Sequence, residues 1–315
     1  MTLKTDQALS GAFPGIARPA ERRMLRSGFV DRNFKYLMVF PAVLVILLIG
    51  LFPIVYTLAI SLQNITMMAE DTSFQGLLHY RALLSDGRFW ASLLHTFIIM
   101  AVALPAELLL GLGLAYLLLD RMPGKQVFVA LLVMPVVISP IIAGATWRLL
   151  FDNRFGPINQ ILGWIAGEPV KILWTVDPNF VYPAILIAEI WQWTPFMFLL
   201  LLAALTNVDQ SQLEAAEIDG AGFWRKFFRI VLPAIWPVMA IAILIRALDL
   251  FRLFDVVWAL TRGGPGTRTE TFSIYAYVMG FQQFETSYTA AMAFIVIVIL
   301  ASTVTLILRR MEIDR

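Results

Sequence analysis

Long apolar stretches that carry almost no charge constrain this chain more than any other feature of its sequence. Tyr36–Leu62, Gln126–Trp147 and Tyr288–Leu308 contain no charged residue. Three further stretches carry only a few charges: Leu93–Leu119, Phe180–Leu205 and Pro233–Leu260. About 20 helical residues cross the hydrocarbon core of a bilayer, and continuous apolar stretches favour helices over the alternating strands of a membrane barrel. The sequence therefore predicts an all-α fold, a polytopic membrane bundle of six transmembrane helices.

Composition agrees with a membrane protein and argues against several kinds of site. Charged residues make up 15% of the chain, whereas ordinary soluble proteins carry about 25%. Cysteine is absent, and His79 and His95 lack the spacing of a metal site, so we expect no disulfide and no bound metal. A Walker A motif is absent, so we expect this chain to bind no nucleotide. We also expect no other cofactor and no enzymatic activity. The net charge of +2 is too small to indicate nucleic-acid binding.

Basic residues are distributed unevenly between the two ends of the predicted spans. With the N-terminus placed inside, the inner segments hold 15 Lys and Arg residues and the outer loops hold 6. Because cytoplasmic loops carry the excess of basic residues, we predict that both termini lie in the cytoplasm. Residues 1–34, rich in Gly, Pro, Ala and Arg, are predicted to form a disordered cytoplasmic arm. Residues 35–315 are predicted to form the membrane domain.

Prolines and loop sequences predict several local features. Pro135 and Pro140 lie inside the third apolar stretch, where we expect kinks. Apolar spacing in Phe74–Leu84 predicts a short interfacial helix in an outer loop. Arg148–Asn179, with several Gly, Pro and Trp residues, predicts a folded outer lid. Gly263–Gly266 predicts a tight turn that needs positive φ angles.

The inner connection, residues 206–232, is the most informative loop. Ser211 and Glu214 have the spacing of a capping box, which predicts a short helix from Gln212 to Asp219. Gly220 is expected to end this helix in a positive-φ conformation.

Aromatic and basic residues are interleaved in Phe223–Val231, which follows that short helix. The spacing predicts an amphipathic helix on the inner membrane surface, and Pro233 is expected to end it. A short acidic helix would thus be held at the membrane and presented to the cytoplasm.

Charged residues within the membrane are concentrated in the fifth stretch. Four of alternating sign recur at every third position: Arg246, Asp249, Arg252 and Asp255. They could share one helical stripe and pair with each other. Two interpretations remain open: a wall of the pathway for a polar solute, or a self-neutralised structural ladder. The single acids Glu107 and Glu189 are expected to form interhelix hydrogen bonds.

The inner loop resembles the "EAA" signature of permease subunits in binding-protein-dependent ABC importers. The resemblance consists of Glu214-Ala215-Ala216, then Gly220, then Ile230–Pro233 at the family's spacing. Three other segments are similar to the carbohydrate-importer branch, the maltose- and glycerol-phosphate-type permeases: Phe74–Leu84, Trp191–Phe196 and Leu260–Pro265. Arg262 is a departure, since the family often has glycine at that position.

The resemblance implies a bacterial cytoplasmic-membrane importer with several subunits. This chain would form the pathway for a sugar or polyol together with a second permease subunit, commonly a different chain. Two cytoplasmic ATP-binding subunits and an extracytoplasmic solute-binding protein would complete the assembly, in contact with membrane lipid. The residues expected to couple the chain to the ATPase are Glu214, Ala215, Ala216, Asp219 and Gly220.

A stand-alone secondary carrier or channel is the alternative function. Such proteins typically contain internal repeats with helices broken at matched positions. The sequence has no clear repeat, and a carrier would have no use for a helix presented to the cytoplasm.

Overall fold

A computed structural model describes residues 27–66, 73–120 and 122–313, without the side chains of residues 27–33, 303–304 and 306–313. Within these ranges every regular element is helical, and one isolated β-bridge joins Gln63 to Phe74. The prediction of an all-α fold is therefore confirmed. Residues 1–26 of the predicted arm lie outside the described residues, and the first helix begins at Ser27, inside that predicted arm.

The described residues form α-helices interrupted by three short π-helical segments. The π-helical segments are Leu47–Leu51, Phe227–Val231 and Val278–Gln282. The α-helices are α1 Ser27–Ile46, α2 Phe52–Ser61, α3 Leu78–Ser85, α4 Gly87–Leu117, α5 Lys125–Val137, α6 Pro140–Leu150, α7 Pro157–Ala166, α8 Val181–Thr206, α9 Gln210–Ile218, α10 Phe223–Lys226, α11 Leu232–Phe251, α12 Asp255–Leu260, α13 Phe272–Tyr277 and α14 Thr286–Ile313.

Four helical stretches of the described chain are long and apolar enough to cross a membrane: Phe34–Ser61, Gly87–Leu117, Val181–Thr206 and Phe223–Phe251. The bent pair α5 and α6 would be a fifth, and Thr286–Ser302 is a shorter apolar helix. The structure therefore shows a membrane-type helical protein with four to five candidate spans, and the number six remains a prediction.

The third predicted span is not one helix. α5 and α6 meet at an angle of 98° at Ile138 and Ser139. Both residues have non-helical backbone, with ψ of 134° and 132°. For Ser139 the reason is Pro140, which disfavours helical geometry in the residue directly before it. The side-chain amide of Gln192 on α8 donates to the Ile138 carbonyl at 2.8 Å, which satisfies a group freed by the break. A kink was predicted here, and a complete break was not.

The fifth predicted span differs from expectation at both ends. Phe223–Phe251 is one continuous helical stretch, so the prediction that Pro233 ends the amphipathic segment is wrong. The wider π-helical turn Phe227–Val231 comes directly before α11, whose second residue is Pro233, and such a bulge can accommodate a proline that lacks a backbone N–H within a continuous helix. The helix then stops at Phe251. The Thr271 hydroxyl donates to the Leu253 carbonyl at 2.8 Å, at the break before α12.

The chain divides into two compact units, Met1–Tyr56 and Thr57–Arg315. In the second unit, α4 and α8 approach closely at Gly111. A Cβ atom at Gly111 would lie 2.7 Å from Cβ of Met197 and 2.8 Å from the backbone nitrogen of Phe198. Small residues permit such close helix packing in membranes. The contact brings α4 and α8 together beside α11, whose Ile235 and Met239 belong to the same apolar cluster.

Candidate functional site

Arg246 on α11 is the centre of a buried ionic cluster. Its side chain is 1% exposed. Its Nε donates to Oε2 of Glu107 at 2.7 Å, and its Nη2 donates to Oε1 of the same residue at 2.9 Å. Glu107 lies on α4 and is fully buried. The two parallel hydrogen bonds form a bidentate pair, the strongest geometry between arginine and a carboxylate.

The guanidinium of Arg246 also binds two further acids. Nη2 donates to Oε1 of Glu189 on α8 at 2.6 Å, and Nη1 donates to Oδ2 of Asp249 at 2.5 Å. The ring of Trp193 lies 4.5 Å from Cζ, within range of a cation–π contact. One arginine thus joins α4, α8 and α11 deep in the bundle.

The ionic cluster continues toward solvent through the ion pair between Asp249 and Arg252. Arg252 donates from Nη2 to Oδ1 of Asp249 at 2.9 Å, and the Arg252 side chain is 79% exposed. The carboxylate of Asp255, the first residue of α12, forms no hydrogen bond or ion pair with the described residues. Burial therefore falls from Arg246 through Asp249 to Arg252.

A cavity of about 230 Å³ lies at this outer end of the cluster. Its polar lining comes from Glu189, Trp193, Asp249, Arg252 and Asp255. Oε2 of Glu189 is buried and has no hydrogen-bond partner among the described residues, although buried polar atoms normally have one. The carboxylate oxygens can accept hydrogen bonds from a hydroxylated solute, and the neighbouring indole ring can pack against the apolar face of that solute.

The four residues of the charged stripe lie at different depths. Arg246 is an interhelix tie, whereas Arg252 and Asp255 line a cavity. The pairing of Asp249 with both arginines is confirmed, but Asp255 belongs to a separate helix, so the prediction of one stripe over all four residues is wrong.

The interhelix bonds expected for Glu107 and Glu189 are confirmed, yet sequence reasoning missed that both bind Arg246. The partners lie 139 and 57 residues from Arg246 along the chain. Helical periodicity relates only residues on the same helix, so it could not find this cluster.

The short helix of the inner loop, α9, is capped by Asp209. Its Oδ1 accepts from the Ser211 backbone N–H at 2.9 Å and from the Ser211 hydroxyl at 2.7 Å. These bonds hold the pKa of Asp209 below its ordinary value. The predicted capping box of Ser211 and Glu214 is therefore wrong, because the carboxylate two residues earlier takes the cap position and starts the helix at Gln210.

Gly220 ends α9 as predicted. Its φ is +74°, the left-handed conformation. The Ala221 N–H donates to the Ala216 carbonyl at 2.8 Å, and the Gly220 N–H donates to the Glu217 carbonyl at 2.9 Å. These two bonds are those of a Schellman motif, which needs a positive φ at this position.

α9 presents an exposed surface. Glu214 and Ala215 are exposed, whereas Leu213 packs against the apolar cluster beneath α9. Ile218 is 88% exposed, and no sequence signal drew attention to it. Glu217 forms an ion pair with Lys226 on α10, so α9 is tied to the start of the long Phe223–Phe251 helix.

The other end of the second unit is held by a polar cluster around Asp86. Asp86 caps α4 by accepting from the backbone N–H groups of Arg88 and Phe89 at 2.9 and 3.2 Å. It also accepts from the hydroxyls of Tyr275, at 2.5 Å, and Tyr288. Burial opposes ionisation, but the combined hydrogen bonds hold the pKa of Asp86 below its ordinary value.

Arg88 joins α4 to the segment before α13. Its Nε and Nη2 donate to the two carboxylate oxygens of Glu270, each at 2.8 Å. The predicted turn that begins this segment has positive φ at Gly263 and Gly266, as expected. Arg262 also has a positive φ of 52°, a conformation that glycine adopts more readily than arginine.

The sequence matches the family described as "Binding-protein-dependent transport system inner membrane component" over residues 76–312. The trehalose/maltose transport system permease protein MalF of Thermococcus litoralis is 36% identical over 247 residues, covering 78% of this chain and 83% of that protein. The trehalose transport system permease protein SugA of Mycobacterium tuberculosis is 32% identical over 271 residues, covering 86% of each protein.

Two solved structures share the fold. One is a bacterial ABC transporter involved in the import of the acidic polysaccharide alginate, with a TM-score of 0.76 and 21% identity, covering 89% of this chain and 96% of that chain. The other is the bacterial alginate ABC transporter in complex with an alginate pentasaccharide-bound periplasmic protein, also with a TM-score of 0.76 and 21% identity. At 21% identity the likeness shows the fold alone.

Proposed function

Because this chain belongs to the family of binding-protein-dependent transport system inner membrane components, we propose that it is the permease subunit of an ABC importer for a sugar or related polyol. The observation that carries the proposal is α9, a capped helix that presents Glu214, Ala215 and Ile218 beside a membrane-length helix. The names of the two relatives, a trehalose/maltose and a trehalose permease, support the sugar class.

The proposed topology has six spans and cytoplasmic termini. The bent pair α5–α6 would serve as the third span and α14 as the sixth. The excess of basic residues at the two termini and in residues 206–232 supports this orientation.

α9 is the proposed contact with a cytoplasmic ATP-binding subunit, which would hydrolyse ATP in place of this chain. The coupling residues are Glu214, Ala215, Ala216, Asp219 and Gly220, to which we add the exposed Ile218. Contact with a partner subunit would remove the apolar side chain of Ile218 from water, which is favourable.

The continuous Phe223–Phe251 helix would transmit movement from the ATPase to the pathway. The Glu217–Lys226 ion pair ties α9 to its first turn, and Arg246 lies about 35 Å along it at 1.5 Å per residue. A displaced α9 would therefore displace Arg246 against its partners on α4 and α8. This is a shift of packed helices driven from a subunit interface.

The proposed solute pathway passes the cavity at the outer end of the ionic cluster. Arg252, Asp255 and the unpaired oxygen of Glu189 would bind solute hydroxyls, while Arg246 and Asp249 hold the wall in place. A second permease subunit would supply the opposite wall, and a solute-binding protein would deliver the sugar from outside.

Reconstituted transport tests the proposal. The chain, its partner permease, the ATP-binding subunits and the binding protein encoded with it would be placed in liposomes. We expect uptake of a sugar such as trehalose or maltose that requires both ATP and the binding protein. Uptake by this chain alone, driven by an ion gradient, would instead support the secondary carrier.

A further inference from the structure

The Phe223–Phe251 helix is longer than a bilayer core requires. Its 29 residues span about 44 Å at 1.5 Å per residue, against roughly 30 Å of hydrocarbon. If Phe251 is placed at one edge of the core, about 20 residues fill the core and reach Leu232 at the other edge. The segment Phe223–Val231 therefore extends into the headgroup layer.

Two arginine side chains in this segment have no partner among the residues that the structure describes. Arg225 and Arg229 are exposed, and neither side chain forms an ion pair or hydrogen bond with the described residues. They are four residues apart, so they lie on the same face, one helical turn from each other. The neighbouring Lys226 differs, since it pairs with Glu217. Two exposed guanidinium groups on one face can bind anionic groups such as phosphates.

Exposed aromatic rings lie next to these arginines. Trp224 is 67% exposed and Phe228 is 57% exposed, and their rings stack with centroids 5.9 Å apart. Tryptophan is enriched at the boundary between hydrocarbon and headgroups, and phenylalanine is common on the apolar face of interfacial helices. The combination of free arginines and stacked rings favours a lipid, which offers a phosphate above an acyl chain.

We propose that Arg225 and Arg229 bind the headgroups of anionic phospholipids in the leaflet beside α9, and that this lipid stabilises the position of α9. The consequence for α9 follows from the Glu217–Lys226 ion pair and from the short connection between α9 and α10. The lipid site stands on its own geometry, whereas its effect on ATP hydrolysis rests on the proposed function.

Lipid retention tests the site directly. The purified importer complex is exchanged into nanodiscs of phosphatidylcholine mixed with phosphatidylglycerol, and retained lipids are counted by native mass spectrometry. The affinity of the double variant R225Q/R229Q for phosphatidylglycerol should be roughly thirty-fold lower than that of the wild type, because each arginine contributes a factor of about five. R225K/R229K keeps both charges and should retain most of the binding.

A matched control removes the same charge elsewhere. Arg154 and Lys171 are also exposed, lie in the connection that contains α7, and form no side-chain ion pair with the described residues. R154Q/K171Q should retain phosphatidylglycerol as the wild type does. Equal losses in the control and in R225Q/R229Q would overturn the proposal, because net charge alone would then explain the binding.

ATP hydrolysis tests the effect on α9. Solute-stimulated hydrolysis should be higher with phosphatidylglycerol than with phosphatidylcholine alone, and R225Q/R229Q should lose that difference. If R225Q/R229Q instead releases the ATP-binding subunits in lipid-free detergent, the arginines bind protein and the lipid proposal is overturned. If no lipid supports stimulated hydrolysis while phosphatidylglycerol retention still depends on Arg225 and Arg229, the proposed function fails and the lipid site stands.

Discussion

At the scale of single residues, burial separates two arginines of one charged series. Arg246 is 1% exposed and binds three carboxylates, whereas Arg252 is 79% exposed and binds one. A buried charge that loses its partner is strongly destabilising, while an exposed ion pair contributes little. The same residue type in the same helix region therefore has different roles.

Replacing Arg246 with methionine should destabilise the protein by about 3–5 kcal/mol, because Glu107 and Glu189 would remain buried without a cation. The matched variant R252M should cost less than about 1 kcal/mol. Thermal unfolding of both variants in detergent measures the difference. Equal unfolding temperatures for R246M and the wild type would show that the buried cluster does not stabilise the fold.

The polar cluster around Asp86 should be sensitive to acid. Its pKa lies below the ordinary 3.8, so its stabilising effect is complete above pH 3.8 and is lost as pH falls through the lower folded value. The partner hydroxyl of Tyr275, with its pKa raised to about 12, stays protonated throughout this range. Hydrogen exchange of α13 should rise on acidification in the wild type. D86N should show raised exchange already at neutral pH and a smaller acid response, and an unchanged exchange rate in D86N would contradict this role.

At the scale of elements, helix ends are set by neighbouring residues that compete to cap them, and the sequence shows the outcome of this competition only in part. Gly220 was predictable because a glycine after a short helical pattern is a common C-terminal signal. The N-terminal cap was predicted wrongly because Asp209 and Ser211 are both good capping residues, and only the structure shows that Asp209 accepts from Ser211. Pro140 predicted a kink in the third span. The 98° angle between α5 and α6 is accompanied by a tertiary contact, the hydrogen bond from Gln192 to Ile138, which the sequence could not predict.

Gly220→Val should disturb α9 through backbone strain alone. A Cβ at Gly220 would meet no atom within 4 Å, so only the φ of +74° opposes a side chain there. The expected cost is about 1–2 kcal/mol, enough to displace the end of α9. Gly222→Ala is the control, because that site is equally open and has an ordinary φ of −68°. ATP-binding subunits should co-purify less with G220V and normally with G222A; the opposite pattern would exclude this role for Gly220.

At the scale of the whole molecule, apolar stretches predicted the membrane bundle, but not how its helices meet. The sequence showed α4 and α8 as long apolar stretches, but it did not show that α8 packs closely against Gly111 of α4. The contact between Arg246 and Glu107 bridges 139 residues, and no pattern within one helix reports such a distance.

The proposed orientation makes a separate prediction for the intact protein in cells. Reporter fusions at Asp209 and Arg315 should signal the cytoplasm, and a fusion at Gly266 should signal the outer side, because basic residues accumulate in the inner segments. A fusion at Asp209 that reports the outer side would contradict the placement of α9 next to an ATPase.

The central claim is that α9 couples this permease to ATP hydrolysis. The most direct measurement is solute-stimulated ATP hydrolysis by the complete importer in liposomes, with Glu214→Arg compared with the wild type. Glu168→Arg is the matched control, since Glu168 is also exposed but lies in the connection between α7 and α8. We predict that E214R loses most of the stimulation while E168R keeps it. Full stimulation in E214R, at a normal amount of assembled complex, would contradict the account.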